Sequence, residues 1–144
     1  MARYTHTIDA KGRVVVPAKL RNNLGGCIHV TNSLDDAYLS GYTTEQFRSV
    51  KEQIAALNMT DPRARILRRR IIGEAQECEL DSQGRISVSA ELWNKIGVEP
   101  GDEICFIDMF DKIEICSVKF YEEQMASLAG LSEIDFSEFD VKGL

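Results

Sequence analysis

Asp9 and Arg13 stand four residues apart across Gly12, and the same trio returns as Asp81 and Arg85 across Gly84. A carboxylate and a guanidinium at this spacing suit recognition rather than catalysis. The glycine lets the loop turn tightly. The aspartate can accept from the loop N–H groups or from the arginine, which is then held as a rigid fork. Such forks match phosphate oxygens and the O6/N7 edge of guanine bidentately. A two-stranded β-ribbon is narrow enough to carry them into a major groove. Lys11 sits beside the first fork as charge for a phosphate backbone. The plainer alternative is a hairpin stapled by an ion pair, and the duplication weighs against it.

No other chemistry is readable. The chain has no Ser/His/Asp or Cys/His constellation and no Gly-rich phosphate loop, and its two histidines, His6 and His29, stand apart in sequence. Cys27, Cys78, Cys105 and Cys116 form no Cys-x-x-Cys pair. Cys27, Cys105 and Cys116 lie in apolar, strand-like stretches, where thiols behave as small hydrophobes. The expectation is no catalytic residue, no metal and no cofactor. Trp93, Phe106, Phe110, Phe120 and Tyr121 read as core or interface filling.

The two turns belong to a longer repeat. Asp9–Val16 returns as Asp81–Val88, and the echo continues through Ala18/Ala90, Leu20/Leu92, Leu24/Ile96 and Gly25/Gly97. Both copies must then adopt one supersecondary unit. Each reads as strand, tight loop, strand, short helix and hairpin. In the first copy the strands are predicted over Arg3–Ile8 and Arg13–Val16. Pro17 opens the short helix and Gly25 closes it. Cys27–Thr31 and Ala37–Tyr42 form the hairpin. In the second, Glu79–Leu80 leads into the turn, followed by Arg85–Val88 and the helix Ala90–Ile96. An inserted turn, Val98–Gly101, precedes the hairpin Glu103–Ile107 and Lys112–Cys116. Thr43 with Gln46 predicts a capping box for a helix to about Leu57. Asp61-Pro62 starts another helix, to about Ile72, and Val118–Leu128 a last one before a frayed tail. Four short strands cannot each bury a face alone; pairing two units about a pseudo-twofold axis would close a small barrel. The expected class is α+β, with repeats over 5–47 and 76–119, a helical connection over 48–75, and a C-terminal helix and tail over 120–144.

Charge is divided unevenly along the chain. Its net value is −6, yet residues 1–72 hold 12 Lys/Arg against 6 Asp/Glu, and residues 73–144 hold 5 against 17. Such asymmetry points to a polyanion partner on the basic side or to attraction between halves. Arg63, Arg65, Arg68, Arg69 and Arg70 crowd one predicted helix, where 65, 68 and 69 share a face; they read as a solvated face, a subunit contact or phosphate contacts. No apolar run approaches the roughly 20 residues that span a bilayer, and no signal peptide is expected. The expected location is the cytoplasm.

The runs "YTHTIDAKGRVVVPAKLRNNLG" and "GEAQECELDSQGRISVSAELWNKIG", with the linker "MTDPRARILRRR", closely resemble the MraZ family over about residues 3–128. The resemblance implies the SpoVT-AbrB superfamily, whose swapped-hairpin barrels bind DNA. It further implies a nucleoid-associated bacterial repressor of the division and cell-wall gene cluster, including its own operon. Ring-shaped homo-oligomers would place several heads on short direct repeats of double-stranded DNA. By the family's Asp-x-x-x-Arg motif, Asp9 with Arg13 and Asp81 with Arg85 would contact DNA. Arg3, Thr5, His6 and Lys11 join them by proximity to the first turn.

The second copy departs from the first. Pro17 and Arg21 are answered by Ser89 and Trp93, and Lys11 by Gln83. Losing two cations makes the second turn a poor partner for phosphate. The first repeat is therefore expected to face DNA, and the second to support the barrel or a subunit interface. The main rival is a protein-interaction or assembly module on the same barrel, without DNA. A pyruvoyl-forming enzyme would need a Gly-Ser bond, which the chain lacks. An antitoxin-like binder would carry one repeat and a disordered tail rather than two repeats.

Overall fold

A computed structural model describes residues 3–144. The first repeat supplies β1 (Arg3–Thr7), β2 (Arg13–Val15), α1 (Ala18–Arg21), β3 (Cys27–Asn32) and β4 (Leu39–Tyr42). The connection supplies α2 (Thr44–Ala55) and α3 (Pro62–Leu67). The second repeat supplies β5 (Gln76–Glu79), β6 (Arg85–Ser87), α4 (Ala90–Lys95), β7 (Glu103–Asp108) and β8 (Ile113–Ser117), and α5 (Val118–Ser127) follows. The predicted elements recur within a few residues. Pro17 stands one place before α1, as its cap, rather than inside it.

The repeats interlock. One sheet runs β1-β7-β8-β4-β3-β5, and β2 pairs with β6 in a separate ribbon, all antiparallel. Exchanging the two repeats reads the sheet order backwards unchanged, which is the expected pseudo-twofold. The opening strand of each repeat pairs with the hairpin of the other: Thr5 faces Cys105, and Cys78 faces Ile28. The main-chain ladder is open at β1 and β5. Each edge strand turns directly into one strand of the ribbon, which seals one core from the other side. Val14 and Ile86 of the ribbon are buried with Ile28, Ile104, Phe106 and Ile115 of the sheet. Alternating apolar residues on so many short strands account for that burial.

Local chemistry sets the helices. Thr43 accepts from the Gln46 N–H while the Gln46 side chain accepts from the Thr43 N–H, completing the predicted box. Asp61 caps α3 ahead of Pro62. The α-helix predicted to Ile72 ends early, at Leu67, and widens into a π-helical turn over Arg68–Gly73. Buried side chains of β3 draw on its carbonyls. The Thr31 hydroxyl donates to the Ile71 carbonyl at 2.6 Å and the Asn32 amide to that of Arg70 at 2.6 Å. No helix among the described residues is long and apolar enough to cross a membrane.

Candidate nucleic-acid interface

Each tight turn is built by its aspartate. Asp9 Oδ1 accepts from the backbone N–H groups of Lys11 and Arg13, both at 2.9 Å, and Oδ2 accepts from Arg13 Nε at 2.8 Å. Asp81 repeats the pattern with Gln83, Arg85 and Arg85 Nε at the same three distances. One carboxylate thus folds the loop and aims the guanidinium, whose Nη groups stay clear of the bond. Gly12 and Gly84 take φ of +78° and +75°, which other residues adopt only at a cost of roughly 1–2 kcal/mol.

The ribbon places both forks on one face. Arg13 opposes Ser87 and Arg85 opposes Val15, while Val14 and Ile86 point inward together. Arg13 and Arg85 are therefore diagonal neighbours, with Cα atoms about 7–8 Å apart by ladder geometry. Val16 N–H to the Gly84 carbonyl and Val88 N–H to the Gly12 carbonyl extend the ribbon past each turn.

Backbone N–H donation from Arg13, then from Lys11, and the Arg13 guanidinium hold the Asp9 carboxyl below its ordinary range; Arg85 and Gln83 do the same for Asp81. A carboxylate depressed on folding adds stability that is present above its unfolded pKa, about 3.9. That stability is lost as pH falls through the lower folded value. Both turns should therefore stay locked at pH 4–5, in terms of the reference carboxylate range. An NMR titration of the two carboxyl carbons should give midpoints below those of unpaired aspartates; ordinary midpoints would mean that the locks do not persist in solution.

Each turn is braced by the opposite repeat. Trp93 Nε1 donates to the Gly12 carbonyl at 3.0 Å, and Arg21 Nη1 to the Gln83 carbonyl at 3.3 Å. Arg21 and Trp93 are pseudo-equivalent, so the cation assigned above to the first turn stands at the second. This corrects the expected loss of both cations there: only the exchange of Lys11 for Gln83 remains. The flanking strand restores the asymmetry. Glu77 and Glu79 share a groove with Asp81 and Arg85, whereas Thr5 and Thr7 hold their places on the other side. The second turn thus has three carboxylates against two guanidiniums. An added Cβ at Gly84 would collide with the Arg21 guanidinium, while Gly12 has room. Gly84→Ala should therefore expel Arg21 as well as strain the turn. Its Arg21 η-proton signal should lose protection from solvent exchange, and that of Gly12→Ala should keep it.

The structure does not gather every predicted residue. Asp9, Lys11, Arg13, Asp81 and Arg85 cluster on the ribbon. Arg3 begins β1 at the far end from the turn, with its guanidinium 5.0 Å from the Tyr121 ring centroid. Thr5 lies mid-strand on the α5 side, and His6 faces the other way, edge-on to Phe106. Proximity in sequence missed the alternation of faces along a strand. The arginine cluster on the connection is also dispersed. Arg63 pairs with Asp61, Arg65 caps the carbonyls of Met59 and Thr60, and Arg70 pairs with Glu74, leaving Arg68 and Arg69 exposed on the π-helical turn.

Trp93 and Phe106 are core, whereas Phe110 is 97% exposed at a hairpin tip with φ of +75°, which leaves it only the interface half of its expected role. One further expectation changes. His29 is not isolated: it lies beside Cys27 and Glu77. The other cysteines are buried, and burial pushes the Cys78 and Cys116 thiols up to about 12, which keeps them protonated.

Fold and site define a duplicated, strand-swapped α+β protein whose paired turns hold two arginine forks on one ribbon face. A family pattern described as "MraZ protein, putative antitoxin-like" matches residues 1–70 and again 71–142. A Thermoanaerobacter pseudethanolicus protein named "Transcriptional regulator MraZ" is 38% identical over 123 residues, covering 85% of this chain and 84% of its own. Proteins of the same name from Caldanaerobacter subterraneus and Limosilactobacillus fermentum are 35% and 34% identical. They cover 96% and 92% of this chain, and 92% and 98% of their own. The chain belongs to the MraZ family.

Proposed function

We propose that this chain is a sequence-specific, DNA-binding transcriptional regulator. It represses the bacterial division and cell-wall gene cluster that includes its own operon, in the cytoplasm at the nucleoid. It reads short direct repeats through the Asp-x-x-x-Arg turns, as a ring-shaped homo-oligomer. The observation that carries this reading is the ribbon: two half-buried guanidinium forks, each locked to its aspartate through Nε, on the same face of a two-stranded ribbon narrow enough for a major groove. The first repeat, 5–47, is the DNA-facing one, because Lys11 stands beside its fork and the strand leading into its turn, Arg3–Thr7, carries no carboxylate. A single head makes few contacts. Linking several raises avidity by about 10²–10⁴ where geometry permits, which suits a chain of net negative charge.

The test is fluorescence anisotropy with the duplex upstream of the protein's own gene against a scrambled duplex, across a salt series. Selective binding retained at moderate salt is expected. Equal binding to both duplexes, collapsing with salt, would mean only cations meeting phosphate. A second reading, an assembly module without DNA, draws on the apolar side chains exposed at both hairpin tips, Leu34 and Phe110. Absence of binding by an assembled oligomer would favour it.

A further inference from the structure

The face of the β3–β5 pair turned away from the core carries a group that the DNA reading does not use. Cys27 and His29 alternate onto that face from β3, and Glu77 of β5 stands directly opposite His29. Their donor atoms lie within 4.8 Å of one another. Cys27 Sγ is 4.0 Å from His29 Nε2, and the Thr44 hydroxyl lies 3.1 Å from that nitrogen and 3.4 Å from the sulfur. The imidazole is held by stacking on Phe47, with ring centroids 5.2 Å apart and planes at 26°. Cys27 and His29 are half-buried and Glu77 exposed, so the cluster opens to solvent.

From this placement we infer that Cys27, His29 and Glu77 form a binding site for one zinc-class divalent metal ion. Thiolate, imidazole and carboxylate are the donors such ions take, with bonds of about 2.3, 2.0–2.1 and 2.0–2.2 Å. Tetrahedral bonding at those lengths puts sulfur and nitrogen about 3.5 Å apart, so a small rotation of the Cys27 side chain closes the present gap. Three protein ligands leave a fourth position for water or the Thr44 hydroxyl. Binding converts the Cys27 thiol to a thiolate and releases its proton to solvent. Glu77 reaches the site from the strand that enters the second turn, and it also lines the groove beside Arg85.

Cobalt(II), titrated into the full chain under a non-thiol reductant, reads the site without reference to DNA. One equivalent per chain should produce a thiolate-to-cobalt charge-transfer band together with tetrahedral ligand-field bands, and zinc should displace them. Cys27→Ser should abolish the charge-transfer band. Glu77→Gln, an exposed and fold-neutral change, should keep the band and weaken affinity by about tenfold or more. Circular dichroism confirms that each variant is folded. Absence of a charge-transfer band in the wild-type chain, or its survival in folded Cys27→Ser, would overturn the assignment. So would unchanged affinity in Glu77→Gln.

Discussion

Arg13→Ala should weaken binding to the promoter duplex by about 1–3 kcal/mol for each head engaged, the worth of a good bidentate base contact. Arg85→Ala should cost clearly less. The two forks have the same internal geometry, so the difference must come from their surroundings. Arg13 has Lys11 beside it and threonines on the adjoining strand. Arg85 has Glu77 and Glu79, whose carboxylates repel a phosphate approaching that end of the ribbon. Anisotropy over a salt series separates the two parts of the effect. Each lost phosphate contact flattens the dependence of log K on log salt by about 0.9, while a lost base contact reduces discrimination against the scrambled duplex. Equal losses in the two variants would refute the division of labour between the repeats.

Trp93→Ala carries the largest expected cost to stability. The indole is 2% exposed in the common core, and removing it should cost about 3–5 kcal/mol in urea unfolding. That is a large share of the 5–15 kcal/mol that usually holds a domain folded. Trp93→Phe separates packing from bracing. It keeps most of the ring but leaves the Gly12 carbonyl without its side-chain donor. The amide signals of Lys11 and Gly12 should shift and DNA affinity should fall, while those of Gln83 and Gly84 stay in place. Arg21→Ala should do the reverse, disturbing the second turn and sparing the first. Disturbance of both turns by either change would mean that the braces are not specific to one turn each.

Much of this was legible in the sequence, for reasons that can be named. The turns were readable because a glycine at positive φ between Asp and Arg leaves few conformations open. The capping box at Thr43 and the stop at Gly97 follow from purely local chemistry. Partnership across the two repeats was harder. Which repeat braces which turn depends on strand exchange, so Arg21 was credited to the wrong end of the ribbon. The π-helical turn after Leu67 depends on Thr31 and Asn32, nearly forty residues away in sequence. Cys27-x-His29 is too weak a pattern on its own, and Glu77 joins it only through the pairing of β3 with β5. Burial of Cys105 and Cys116 was readable from their apolar strand neighbours, but Cys27, read the same way, is half-buried, and Cys78, flanked by Glu77 and Glu79, is buried only because β5 turns it to the core.

Strand exchange also sets an order on the birth of the molecule. β1 leaves the ribosome well ahead of its partner, which runs from Glu103 to Asp108. At about 5–20 residues per second, the N-terminal strand waits roughly 5–20 s for that partner to be made. Through that interval Arg3–Thr7 has no ladder to join, and the first turn leads to a β2 whose own mate, Arg85–Ser87, is also made only with the second repeat. The first repeat cannot finish ahead of the second; both reach their native form in one late step, once the nascent chain extends past β8.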